Sequence, residues 1–262
     1  MLSYQHGFHA GNRADVLKHA CLHAILTDLR KDPGPILYVE THAGRGQYDL
    51  TGPQANKTGE AEAGVLKLLQ GKAPKSLSPW LDFVRQTGLK AYPGSPKLAA
   101  SLLASEDRLV LFERHPQEYQ ALAANMAQDT RCLTKAEDGY RGALKLAPRR
   151  GERIVLMLDP SYETIKDLEH LINWVPRALR RWPRAIILIW LPLFRDGREV
   201  EFGAYLSELT EGVIIGARWP VPDDQDTALE GSAIIGLGVD EQTGKTLVRI
   251  ASNLENYWQT DL

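Results

Sequence analysis

Cysteine is nearly absent from this chain: 262 residues hold two, Cys21 and Cys132, and they match no metal-ligand or redox spacing. A disulfide framework and a zinc site are excluded on that count, no metal is expected, and both thiols should pack as small apolar groups in a reducing cytoplasm. Long apolar runs are missing too. No stretch approaches the roughly 18 residues of a membrane span, and the opening MLSYQHGFHAGNRADVLKH carries no apolar leader segment. Nor is there an excess of basic charge. A net charge of -2 and a pI near 6.4 exclude a protein that coats nucleic acid by charge alone.

The basic residues that do occur are unevenly placed. Arg149, Arg150 and Arg153 cluster before one strand, and Arg177, Arg180, Arg181 and Arg184 near the end of a helix. Solvated surface with favourable charge at a helix C-terminus accounts for such clusters, with a local phosphate-binding face as the alternative.

What is present is an alternation of strands and helices organised around residues 36–46, ILYVETHAGRG. Ile36, Leu37, Tyr38 and Val39 form a continuous apolar run, the pattern of a strand buried on both faces. The run ends in a turn where Gly44 and Gly46 allow close approach of a ligand to the main chain, with Glu40 and His42 at the carboxyl edge. The third glycine of a dinucleotide fingerprint is missing, since Gln47, Tyr48 and Asp49 follow.

Apolar spacing predicts a helix over residues 14–30 capped by Asn12, preceded by an aromatic and histidine-rich segment with Tyr4, His6, Phe8 and His9. Residues 49–59 have loop composition, and helices are expected at 61–69 and 79–87. Ser95 is a candidate N-cap for a helix opening at Pro96. Strands follow at 108–113, 131–135, 153–158 and 185–190, with helices at 116–126 and 164–181 between them. After a helix at 203–210 and a strand at 213–219, residues 233–239 and 246–252 read as a terminal hairpin. The expected architecture is α/β: a mostly parallel twisted sheet with an antiparallel edge and a small helical insertion.

A parallel sheet places all its strand carboxyl ends on one edge. The corners Glu40-Thr41-His42-Ala43-Gly44, Glu113, Asp138-Gly139 and Asp159-Pro160-Ser161-Tyr162 should therefore converge. A cofactor with a ribose and an adenine asks for such a set, with Glu113 suited to the ribose hydroxyls and Asp138 to the base. The last corner approaches the (Asp/Asn/Ser)-Pro-Pro-(Tyr/Phe/Trp) motif of amino-methyltransferases. An adenine amine is a poor nucleophile because its lone pair is delocalised. A carboxylate and a proline-held carbonyl can accept its two hydrogens and aim the lone pair at a methyl group, while the aromatic stacks on the flipped base.

The chain resembles the RlmJ family of 23S ribosomal RNA adenine-N6 methyltransferases. The resemblance rests on Met1-Leu2-Ser3-Tyr4, Phe8-His9-Ala10-Gly11-Asn12, Ala14-Asp15-Val16-Leu17-Lys18-His19, Thr41-His42-Ala43-Gly44, Tyr92-Pro93-Gly94-Ser95-Pro96, Glu113 with His115-Pro116, and Asp138-Gly139. It implies a Rossmann-like class I methyltransferase domain from residues 1–48 and 92–262 and a helical insertion subdomain from 49–91. It implies S-adenosyl-L-methionine as cofactor, contacted by His19, His42, Gly44, Ser95, Glu113, Asp138, Gly139 and Asp159. Asp159, Pro160 and Tyr162 would form the catalytic corner, with Tyr4, Lys18 and Tyr162 near the substrate. The implied partner is 23S ribosomal RNA, free or in a precursor particle, bound by a cytoplasmic monomer.

One departure stands out: Ser161 replaces the motif's second proline, removing a ring and adding an N–H donor. The segment from about residue 195 onward is also shorter than the family leads one to expect. An adenine methyltransferase acting on DNA or another RNA, or a catalytically silent nucleic-acid-binding protein serving use of external DNA, are the competing readings. A dehydrogenase is disfavoured, because Glu113 lies too far after the glycines.

Overall fold

The computed structural model describes residues 5–162, 166–194, 197–209, 211–221 and 229–259. A 3-10 turn at His6–Phe8 leads into helix α1 (Arg13–Leu29), where the Asn12 side chain accepts from the Asp15 N–H as expected of an N-cap. Strand β1 (Ile36–Glu40) is buried throughout, and β2 (Gln47–Tyr48) follows the glycine turn. Next come α2 (Pro53–Thr58), a π-turn at Glu62–Leu66 running into α3 (Lys67–Gln70), and α4 (Ser78–Thr87). Then β3 (Tyr92–Pro93), α5 (Ser95–Leu102), β4 (Arg108–Phe112), α6 (Pro116–Met126), β5 (Cys132–Lys135) and α7 (Gly139–Ala143) follow. The remainder is β6 (Arg153–Leu158), α8 (Lys166–Arg181), β7 (Ile186–Phe194), α9 (Arg198–Leu209), β8 (Gly212–Arg218), β9 (Leu229–Leu237) and α10 (Glu241–Gln259).

Seven strands form one sheet in the order β5-β4-β1-β6-β7-β9-β8. All pairings from β5 to β7 are parallel, and β9 runs antiparallel to both β7 and β8, so the sheet's reversed strand sits one place in from the edge. Strand alternation sorts the core into two layers. Ile36, Tyr38, Leu109, Leu111, Val155 and Met157 face the layer of α1, α5 and α10, whereas Leu37, Val39, Val110, Phe112, Leu156 and Leu158 face that of α7, α8 and α9. Truncating one of these, as in Leu156→Ala, should cost about 2–5 kcal/mol.

Three local expectations are corrected. Residues 246–252 are not a strand but the middle of α10, whose Leu247, Ile250, Ala251, Leu254 and Trp258 recur at helical spacing and are buried. The antiparallel partner of β9 is instead β8. Within residues 49–59, Pro53 opens the short helix α2, because proline suits a first helical turn. Ser95 makes no cap: Gly94 holds that position, and the Ser95 hydroxyl donates to Glu40 at 2.9 Å. The helices between β2 and β3 share α1's apolar layer, with Val65, Leu68, Leu77, Trp80 and Leu81 packed in it.

Candidate active site

The carboxyl ends of β1, β4 and β6 are stitched together beyond the regular ladders. Thr41 N–H donates to the Met157 carbonyl at 3.1 Å and Ala43 N–H to that of Phe112 at 2.9 Å. The turn that follows needs its glycines, since Gly44 and Gly46 have φ of 59° and 75°. Gly44 N–H donates to Glu113 at 2.8 Å and His115 N–H to the same carboxylate at 2.7 Å, fixing Glu113 at the rim. Burial holds Glu113 above the usual carboxylate range despite these bonds. The small antiparallel pair of β2 and β3 brings Ser95 back over the sheet edge. Asp138 caps α7 by accepting from the Arg141 N–H at 2.9 Å.

These corners enclose a cavity of about 330 Å³, within the range of small-molecule sites. Of the residues singled out in the sequence, Lys18, His19, His42, Gly44, Ser95, Glu113, Asp138, Gly139, Asp159 and Pro160 line it. Tyr162 does not. Its hydroxyl donates to the Trp190 carbonyl and its ring packs on Trp190, with a left-handed φ of 51° that a non-glycine residue seldom adopts. Tyr4 lies outside the described residues.

A buried ion network underlies the Asp159 corner. Lys18 Nζ donates to Asp159 Oδ2 at 2.6 Å and lies 2.9 Å from Asp15 Oδ1, while Asp15 Oδ2 accepts from Gly11 N–H and pairs with His6, each at 2.9 Å. Burial opposes the charge on Lys18, but Asp15 and Asp159 outweigh it and hold its pKa well above that of an ordinary lysine. Burial likewise works against the Asp15 carboxylate, yet the neighbouring His6 and Lys18 keep its pKa well below the usual range. His19 and His42 are pushed down to about 4, chiefly by burial, so both rings are neutral near pH 7. At the end of β1, burial pushes Glu40 up to about 8 although Tyr38 and Ser95 donate to it.

Three residues that no sequence motif singled out, Tyr140, Asp167 and His170, also line the cavity. Tyr140 stacks on His170 with ring centroids 4.5 Å apart and meets His42 edge-on at 5.0 Å, and its own hydroxyl is buried without a hydrogen-bond partner among the described residues. The signal was available in part: Tyr140 directly follows Asp138-Gly139, and Asp167 and His170 are three apart on one helix face. Among the described residues no His, Cys, Asp and Glu group is arranged to hold a metal ion, and no helix is long and apolar enough to cross a membrane.

The strand order and the site at the carboxyl edge define a Rossmann-like class I methyltransferase fold. Residues 33–256 match the family model described as "Ribosomal RNA large subunit methyltransferase D, RlmJ". "Ribosomal RNA large subunit methyltransferase J" of Escherichia coli K12 is 35% identical over 198 residues, 74% of this chain and 71% of that protein. The protein of the same description from Haemophilus influenzae is 34% identical, with 74% and 71% covered. A crystal structure of a Legionella pneumophila protein superposes with a TM-score of 0.86 at 26% identity, covering 97% of this chain and 95% of that one. The chain belongs to the RlmJ family.

Proposed function

We propose that this chain is an S-adenosylmethionine-dependent methyltransferase that modifies the N6 amine of an adenine in 23S ribosomal RNA. The carrying observation is that Asp159 and Pro160 share one cavity with Glu113, Asp138 and Gly139. Family membership supports the reaction, and an RNA of the large ribosomal subunit as target would put the enzyme in the cytoplasm.

The lining suits a cationic, ribose-bearing donor. Glu113, Asp138 and Asp167 face the cavity together with the cation Arg114, whereas Lys18 is paired with Asp15 and Asp159, and His19 and His42 are neutral, so acids still outnumber bases in the lining. Glu113 would hold the ribose hydroxyls, Asp138 and Gly139 the adenine, and Gly44, Ser95, His19 and His42 the remainder. When bound, S-adenosylmethionine supplies an electrophilic methyl group on sulfur.

Asp159 and the Pro160 carbonyl would accept the two hydrogens of the target amine, presenting its lone pair to that methyl group. Orientation of this kind can contribute up to roughly 7–11 kcal/mol. After transfer the nitrogen is cationic and acidic, so Asp159 needs only ordinary carboxylate basicity to take the proton. Lys18 keeps the Asp159 carboxylate aimed. Tyr162 is the aromatic of the motif and, with Tyr4, is the candidate for contact with the target base. Residues 49–91 are an insertion against α1 that would extend the substrate-binding face, leaving 1–48 and 92–262 as the methyltransferase domain.

Incubation with methyl-labelled donor and either unmethylated 23S ribosomal RNA or DNA tests the reading. Label recovered as N6-methyladenine in the RNA is the expected result; label confined to DNA, or none in either, overturns it.

A further inference from the structure

Two arginine clusters that are separate in the sequence meet on one surface. Arg177, Arg180, Arg181 and Arg184 follow i, i+3, i+4, i+7 spacing along and just past the end of α8, and all four are exposed. Arg181 donates to the Leu146 carbonyl at 3.0 Å, which brings the following turn with exposed Arg149 and Arg150 alongside. None of the six makes an ion pair with a carboxylate among the described residues. Glu152, the acid of that turn, is bonded by the Arg108 guanidinium at 2.7 Å twice and accepts from the Arg149 backbone N–H, so among the described residues only Arg149 of the six lies near a carboxylate. Arg153 belongs elsewhere, bonded to the Asp32 and Gly34 carbonyls.

Charge complementing a helix C-terminus does not account for the set. That effect falls off within the last turn, and Arg149 and Arg150 are not on the helix. The surface also lies on the amino edge of the sheet, where β6 and β7 begin, opposite the cavity. From His170, which lines the cavity, to Arg181 is about 17 Å along the helix axis at 1.5 Å per residue. Guanidinium groups bind phosphate bidentately, and six that make no contact ion pair with a carboxylate among the described residues, on a chain of net charge -2, are a local concentration.

We propose that this surface binds the phosphodiester backbone of the RNA substrate at a distance from the target nucleotide. The proposal rests on the reading of RNA as substrate: the site at the carboxyl edge selects the base, and the arginines hold the flanking strand. Phosphate contacts position without specifying, so the contribution should be to affinity rather than to the chemical step.

The test uses the full chain and its R177E/R180E/R181E variant, with R149E/R150E as a second variant from the other cluster and R177Q/R180Q/R181Q as a milder one. Binding of a 23S ribosomal RNA transcript is measured without cofactor across a salt series, and turnover at saturating RNA separately. Binding at least about 10-fold weaker, with a salt slope shallower by about one unit for every phosphate no longer held, and kcat unchanged is the expected result for both clusters. Equal affinity and slope in all variants, or a fall in kcat with affinity intact, overturns the proposal. If the wild-type chain binds RNA through these arginines but transfers no methyl to it, the proposed activity fails while the surface stands.

Discussion

Lys18 donates to Asp159 at 2.6 Å from a side chain that is only 5% exposed, so the acid at the proposed catalytic corner is held by a cation buried on α1. The same ammonium lies 2.9 Å from Asp15, itself 1% exposed, which makes Lys18 the link between two carboxylates. Removing one partner of a buried pair strands the other. Lys18→Met should therefore destabilise the protein by about 3 kcal/mol, measured by denaturant unfolding; a loss under about 1 kcal/mol would show that solvent already screens the pair.

Asp159→Ala should abolish methyl transfer and leave donor affinity within a few-fold, because Glu113 and Asp138 remain in place. Calorimetric titration with donor beside a transfer assay separates the two quantities. Loss of donor binding with residual turnover intact would contradict the role assigned to Asp159.

Restoring the motif proline tests the corner itself. Ser161 is exposed and its N–H makes no hydrogen bond among the described residues, so a ring there removes no bond. Ser161→Pro should fold and keep or raise kcat. A folded but inactive variant would show that Pro160 and Tyr162 are set differently here than in proteins with the second proline.

Glu40 gives the fold a pH dependence of definite sign. Its pKa rises from 4.5 to about 8 on folding, first because it is buried. Between those values the folded chain keeps a proton that the unfolded chain has released. The stabilising contribution is complete below about 4.5 and is lost as pH rises through about 8. Glu40→Gln should melt within a few degrees of wild type at pH 7 and lose less stability from pH 7 to 9. Melting curves that fall equally steeply for both proteins would place the alkaline loss elsewhere.

The parallel part of the fold was legible because each central strand carries its own continuous apolar run, and a parallel sheet then dictates where the acidic corners gather. Residues 246–252 misled because β-branched and apolar residues dominate a short window. The helical period of Leu247, Ile250, Leu254 and Trp258 emerges only over three turns. Ser95 looked like a cap from its neighbour Pro96, but a buried carboxylate on β1 claimed its hydroxyl. His170 and Asp167 carry no motif and reach the cavity because α8 starts at its rim. The Lys18–Asp159 bond joins residues far apart in the chain, and no local pattern announces it.

At Gly139, an added methyl would come within 2.0 Å of the Thr41 carbonyl oxygen, so the corners after β1 and β5 are in direct backbone contact although β4 runs between those strands. The proposed adenine wall is thus assembled from non-neighbouring strands packed main chain to main chain. Alanine at 139 would not trim a contact but wedge the wall open, displacing Asp138 and His42 together.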